Sequence, residues 1–128
     1  MSYYYNKTVS GEFDQVIEKV TTELKNEGFG VLTEIDFSGT IKKKLAKDLP
    51  AYRILGACNP GFAYKAYEAE DKIGTMLPCN VIVQDVGNGN IEVSAVNPVA
   101  SMMGVENDGL GEVANEVKAK LERVIDAL

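Results

Sequence analysis

The chain contains no histidine, and only two cysteines occur among its 128 residues. Without imidazole there is no Ser-His-Asp or Cys-His catalysis, no His-ligated zinc and no histidine pH switch. Two cysteines cannot close a structural zinc site unless carboxylates join them. Neither a Walker lysine motif nor a Rossmann glycine fingerprint is present. No stretch approaches the roughly 18–20 apolar residues of a membrane span. The first residues, Met1 to Lys7, lack the basic-then-apolar pattern of a signal peptide. A cytoplasmic location is therefore expected, and there the two thiols stay reduced. Positive charge is also short: 13 Lys and Arg stand against 19 Asp and Glu, a net charge of −6. That balance argues against nucleic acid and against anionic membranes as partners. The one basic cluster, Lys42-Lys43-Lys44 with Lys47, points several ways around a helix and reads as a solvated face.

What is present is a regular alternation of strand and helix signals. Tyr3 to Val9 reads as a first strand, rich in aromatic and β-branched residues, with Ser10 positioned to cap the next helix. Phe13, Val16, Ile17, Val20 and Leu24 recur at helical spacing, so Glu12 to Glu27 is expected as an amphipathic helix stopped by Gly28. Phe29 to Phe37 alternates as a half-buried strand, with Phe29, Val31, Ile35 and Phe37 in one phase and Glu34 and Asp36 in the other. Ser38 can cap a short helix over Gly39 to Ala46. Tyr52 to Asn59 is a third strand, Phe62 to Glu70 a helix, and Asp71 to Leu77 a turn or short helix. Cys79 to Val86 and Ile91 to Asn97 are strands joined at the hairpin signal Gly87-Asn88-Gly89-Asn90. Pro98 to Glu106 reads as irregular, and a last helix from Asp108 carries the stripe Leu110, Val113, Val117, Leu121, Val124 and Leu128. Two long helices with one apolar face each require one sheet face to cover. The expected fold is α+β: one antiparallel sheet of about five strands with both long helices on one side. The short inserted helices, a partner subunit, or both would cover the other side.

The chemistry-bearing residues gather at strand ends. Each cysteine precedes an asparagine with a proline near it, in Leu55-Gly56-Ala57-Cys58-Asn59-Pro60-Gly61 and in Leu77-Pro78-Cys79-Asn80-Val81. If the third and fourth strands are antiparallel neighbours, Cys58 and Cys79 approach each other. Strand parity gives both thiols apolar neighbours, where free cysteine behaves as a small hydrophobe. With Met102 and Met103, and Met76 nearby, the same thiols offer the thiolate and thioether set of a soft Cu(I) site. Asn59 and Asn80 either satisfy their own turns or line a pocket for a polar ligand. Arg53 and Glu34 form a cross-strand ion pair in the polar phase, a carboxylate or anion handle if buried. Gly56-Ala57-Cys58 is a run of small residues that permits close approach of a backbone, ligand or partner. Three consecutive tyrosines, Tyr3 to Tyr5, must face both sides of a strand, which suits an interface.

Four segments carry a resemblance: Gly28-Phe29-Gly30-Val31-Leu32-Thr33-Glu34-Ile35-Asp36, Tyr52 to Pro60, Leu77 to Val81, and Ser94-Ala95-Val96-Asn97-Pro98-Val99-Ala100. In that order they resemble the bacterial and archaeal family called domain of unknown function 302, over essentially the whole chain. Asn97 stands where an aspartate is expected before the proline, and Gly61 where a second proline is common. The resemblance implies one domain over residues 1–128, an α+β fold related to the TATA-binding-protein-like class, and a homodimer. It implies no activity. The leading expectation is a homodimeric binding module for a small ligand or partner, framed by Arg53, Cys58, Asn59, Cys79 and Asn80, with no resident cofactor. The alternative is a thiol redox or copper protein using Cys58 and Cys79 with Met102 or Met103. A histidine-free enzyme has least support.

Overall fold

The computed structural model describes residues 2–128. Five strands form one antiparallel sheet in the order β1-β5-β4-β3-β2. They are β1 (Tyr4–Ser10), β2 (Gly30–Asp36), β3 (Tyr52–Cys58), β4 (Cys79–Gly87) and β5 (Asn90–Val96). The helices are α1 (Phe13–Asn26), α2 (Phe37–Leu45), α3 (Pro60–Ala69), α4 (Pro98–Ser101) and α5 (Gly111–Asp126), with 3₁₀ turns at Asp71–Met76 and Asp108–Leu110. No helix among the described residues is long and apolar enough to cross a membrane.

Both long helices lie on one sheet face, as their single apolar stripes require. Val16, Val20 and Leu24 of α1 and Val117, Leu121, Val124 and Ile125 of α5 are buried in one core. Its floor is Leu55 and Ala57 of β3, Cys79, Val81 and Val83 of β4, and Ile91, Val93 and Ala95 of β5. These are alternate residues of each strand, so the period of two delivers every one of them to the same face. Glu27, at the end of α1, accepts from Arg123 Nε at 3.0 Å, which pins α1 to α5.

Several local features differ from the sequence reading. Helix α1 is capped at Glu12 without a side-chain bond, not by Ser10. The cap of α2 is Asp36, whose carboxylate accepts from Gly39 N–H at 3.0 Å; Ser38 instead donates to Asp36 and accepts from Tyr52 N–H. The Gly39 contact, then the Ser38 hydroxyl, hold the Asp36 carboxyl below its usual range. In β2 the register shifts between Val31 and Thr33. The extra residue, exposed Leu32, flips the alternation. Val31 pairs with Ala57 on the helix side, but Ile35 pairs with Ile54 on the other side. Glu34 and Asp36 thereby turn to the helix side. After β5 the chain is not irregular throughout, because Asn97 caps α4. The β4–β5 turn has positive φ at Asn88 and Gly89, as a two-residue type I′ turn demands.

The inserted helix α3 and the 3₁₀ turn at Asp71–Met76 extend the helical layer. Ala66 of α3, Ile73 and Leu110 form a second small core, packed with Leu77, Met102, Val105 and Val113. Helix α2 has no buried residue and meets the sheet through Phe37, whose ring lies 5.0 Å from that of Tyr52. Tyr52 lies on the opposite face, so α2 reaches that face at its β3 side. Among the described residues no helix spans the cross-strand row it carries, Ile35, Ile54, Ile82, Ser94 and Asn6.

Gly56 is fixed by crowding from the chain itself. A Cβ there would collide with Thr33 Oγ1 and come within 2.8 Å of Pro78 Cγ. Gly56→Ala is expected to destabilise the protein by about 1–3 kcal/mol through overpacking. Urea unfolding reads this, and an unchanged midpoint would show that Thr33 and Pro78 give way freely.

Candidate functional site

The structure separates the five residues proposed as one frame into three places. Arg53 lies on the helix side at the β2 edge. Its guanidinium bonds Glu34 at 2.7 Å and sits 5.6 Å from the centre of the Phe13 ring. Arg53 Nε is buried without a hydrogen-bond partner among the described residues. With Glu34 and Phe13 already on it, and half of Glu34 in solvent, the pair is worth roughly 0–1 kcal/mol.

Cys58, Asn59 and Cys79 meet at the seam between the sheet and α3. Cys79 pairs with Ala57, which puts it one position from Cys58 across the β3–β4 ladder. Both cysteines are free and line one cavity of about 30 Å³, with Phe62, Met102, Pro98 and Val117 among its other walls. Asn59 also borders it, but its amide is engaged. Asn59 Nδ2 donates to the Glu27 carbonyl at 3.4 Å, and its Oδ1 accepts from Phe62 N–H at 3.5 Å, capping α3 ahead of Pro60. Burial, and then the neighbouring Cys58, push the Cys79 thiol up to about 11.

Asn80 points the other way, as the residue after Cys79 must. It lines an open concavity of about 460 Å³ on the opposite sheet face. The floor comes from the central strands, with Asn80, Ile82 and Gln84 from β4 and Glu92 and Ser94 from β5. Tyr3 and Tyr4 stand at one side, their rings edge to face at 4.9 Å, and Tyr52 stands at another. Gln84, Glu92, Ser94 and Tyr52 were not singled out by sequence reasoning. Their signal was present, since polar residues alternate with buried valines in the two central strands. Met103 is 70% exposed and borders neither space.

The Asn97 position explains its amide. Asn97 is 6% exposed. Its Nδ2 donates to the Ser2 carbonyl at 3.0 Å while its Oδ1 accepts from Val99 N–H at 3.1 Å. An amide serves both roles at neutral pH, whereas a carboxylate cannot donate.

Comparison with known proteins agrees with this architecture. A family model, domain of unknown function DUF302, matches residues 5–128. The chain belongs to the DUF302 family. It is similar to the crystal structure of an uncharacterized conserved DUF302 protein from Bacillus stearothermophilus, with 26% identity over 98% of each chain and a TM-score of 0.91. No curated protein matches. The family assignment brings a fold and no activity, so the geometry of this DUF302 chain must carry any functional reading.

Two outcomes follow from these placements. Asn97→Asp sets a carboxylate oxygen against the Ser2 carbonyl and is expected to cost about 1–3 kcal/mol at pH 7. The cost should shrink below pH 4, where the protonated acid donates again; equal stability at pH 7 would contradict the assigned bonds. For Cys79 the folded protein holds the proton more tightly than the unfolded chain. Its contribution is intact below the ordinary thiol value of 9.0 and is lost as pH rises toward about 11. Alkylation of Cys79 at pH 8 should therefore proceed only through opening of the structure. Labelling at the rate of a free thiol would overturn that.

Proposed function

We propose that the protein is a non-enzymatic binding module that holds a small, flat ligand on the open face of its sheet. The observation that carries this reading is the concavity of about 460 Å³ over the central strands. Its size lies in the range of small-molecule sites, which combine apolar walls with a few convergent polar groups. Here the walls are Tyr3, Tyr4, Tyr52 and Ile82, and the polar groups are Asn80, Gln84, Glu92 and Ser94. Aromatic rings favour stacking on a planar ligand. Amide, carboxylate and hydroxyl groups together suit a ligand edge that both donates and accepts.

The homodimer belongs to the same reading. Tyr3 is 71%, Tyr4 41% and Ile35 47% exposed. Tyr4 and Ile35 belong to the two edge strands of this face. A second copy meeting the first across the open face would cover these groups and close the ligand between two sheets. Tyrosine is enriched in such interfaces.

The test is NMR shift mapping with adenine, nicotinamide and xanthine as planar probes that carry a hydrogen-bonding edge. At least one probe should shift Asn80, Gln84 and Ser94, and Asn80→Leu should weaken its binding by about tenfold, near 1.4 kcal/mol. Tyr4→Ser should shift sedimentation toward the monomer. Shifts confined to the helical side, or none with any probe, would contradict the assignment.

A further inference from the structure

A single formal charge sits in the open-face concavity. Of the residues that line it, only Glu92 is charged; its other polar groups are amides, a serine hydroxyl and tyrosines. Glu92 is half-buried, and its carboxylate accepts from Ser94 Oγ at a long 3.5 Å. Among the described residues it forms no ion pair, whereas Glu27 and Glu34 on the helix side are each held by arginine. The antiparallel register sets Gln84 opposite Glu92, and Tyr52 opposite Gln84. Neighbouring strands lie about 4.8 Å apart, so Tyr52 stands about 10 Å from Glu92 across the sheet. That span suits one six-membered ring carrying a forked substituent. Tyr52 is fixed in place, with its ring 5.0 Å from that of Phe37 and its N–H donating to Ser38 Oγ at 3.1 Å.

We propose that the open face selects a small planar cation of the amidinium or guanidinium class, with Glu92 as the residue that sets this specificity. The proposal rests on the open-face reading above and adds the charge of the ligand to it. A half-buried carboxylate without a cation from its own chain repels an anionic ligand. It also bonds a charged donor more strongly than a neutral one. The two parallel N–H groups of an amidinium match the two oxygens of a carboxylate, which a point-like ammonium does not. With its fork on Glu92, the ligand ring lies over Gln84 and reaches Tyr52, whose face attracts positive charge. Binding of this kind makes and breaks no covalent bond.

The experiment is an NMR titration of the full chain with three probes of one shape and different charge: benzamidine, benzamide and benzoate. Benzamidine should shift Gln84, Glu92 and Ser94 and bind about tenfold more tightly than benzamide, while benzoate should leave these residues unmoved. Glu92→Gln keeps the shape and still accepts from Ser94. It should bring benzamidine down to the affinity of benzamide and leave benzamide unchanged. Glu18→Gln, which removes an exposed carboxylate of α1, should change nothing and so separates this site from the general pull of an acidic protein. Shifts on the open face with equal affinity for benzamide and benzamidine would overturn the charge selection and leave the open-face reading standing. So would a preference for benzamidine that survives Glu92→Gln. An open face unmoved by all three probes would overturn both.

Discussion

The packing of α1 and α5 onto one face of the sheet is the constraint on which everything else rests. Leu24, Val20, Leu121 and Ile125 from the helices and Leu55, Val81, Val83 and Val93 from the strands are among the most deeply buried side chains. A fully buried aliphatic side chain of this kind contributes about 1.5–3 kcal/mol. Because strand side chains alternate, assigning these residues to the helical side assigns their neighbours to the other side. Asn80, Ile82, Gln84, Glu92 and Ser94 are thereby committed to the face that carries the open concavity.

The same constraint sets the seam where the cysteines lie. The chain leaves β3 through Asn59-Pro60 and β5 through Asn97-Pro98, and in both cases the asparagine caps the helix that follows. Proline at the first helical position loses no intrahelical bond, and the Asn side chain satisfies a free N–H. This repeated strand–Asn–Pro–helix device turns α3 and α4 back over the ends of the strands. It also draws Met102 to the cavity that Cys58 and Cys79 already border. The Asn-Pro steps thus serve the backbone first, and what surrounds them follows.

The architecture was legible because periodicity is strong where burial is complete. The apolar stripes of α1 and α5, the alternation of β4 and β5 and the Asn88-Gly89 turn all read directly. The approach of Cys58 and Cys79 followed from antiparallel neighbours. The β2 phase did not read correctly, because a bulge at Leu32 leaves no mark in composition and reverses every residue beyond it. That bulge carries Glu34 to the helix side, where it engages Arg53. Gly56 read as room for the close approach of a backbone, ligand or partner, and the chain's own Thr33 and Pro78 make that approach. The open face was the hardest to read as a site, since polar alternation on half a strand looks the same whether it meets water or a ligand.

Native mass spectrometry of the protein purified anaerobically, without chelator, tests the central claim of an open-face binding module most directly. Binding there predicts a species of twice the chain mass carrying an added small-molecule mass, both lost in Tyr4→Ser. A bare monomer that persists at high protein concentration would contradict it.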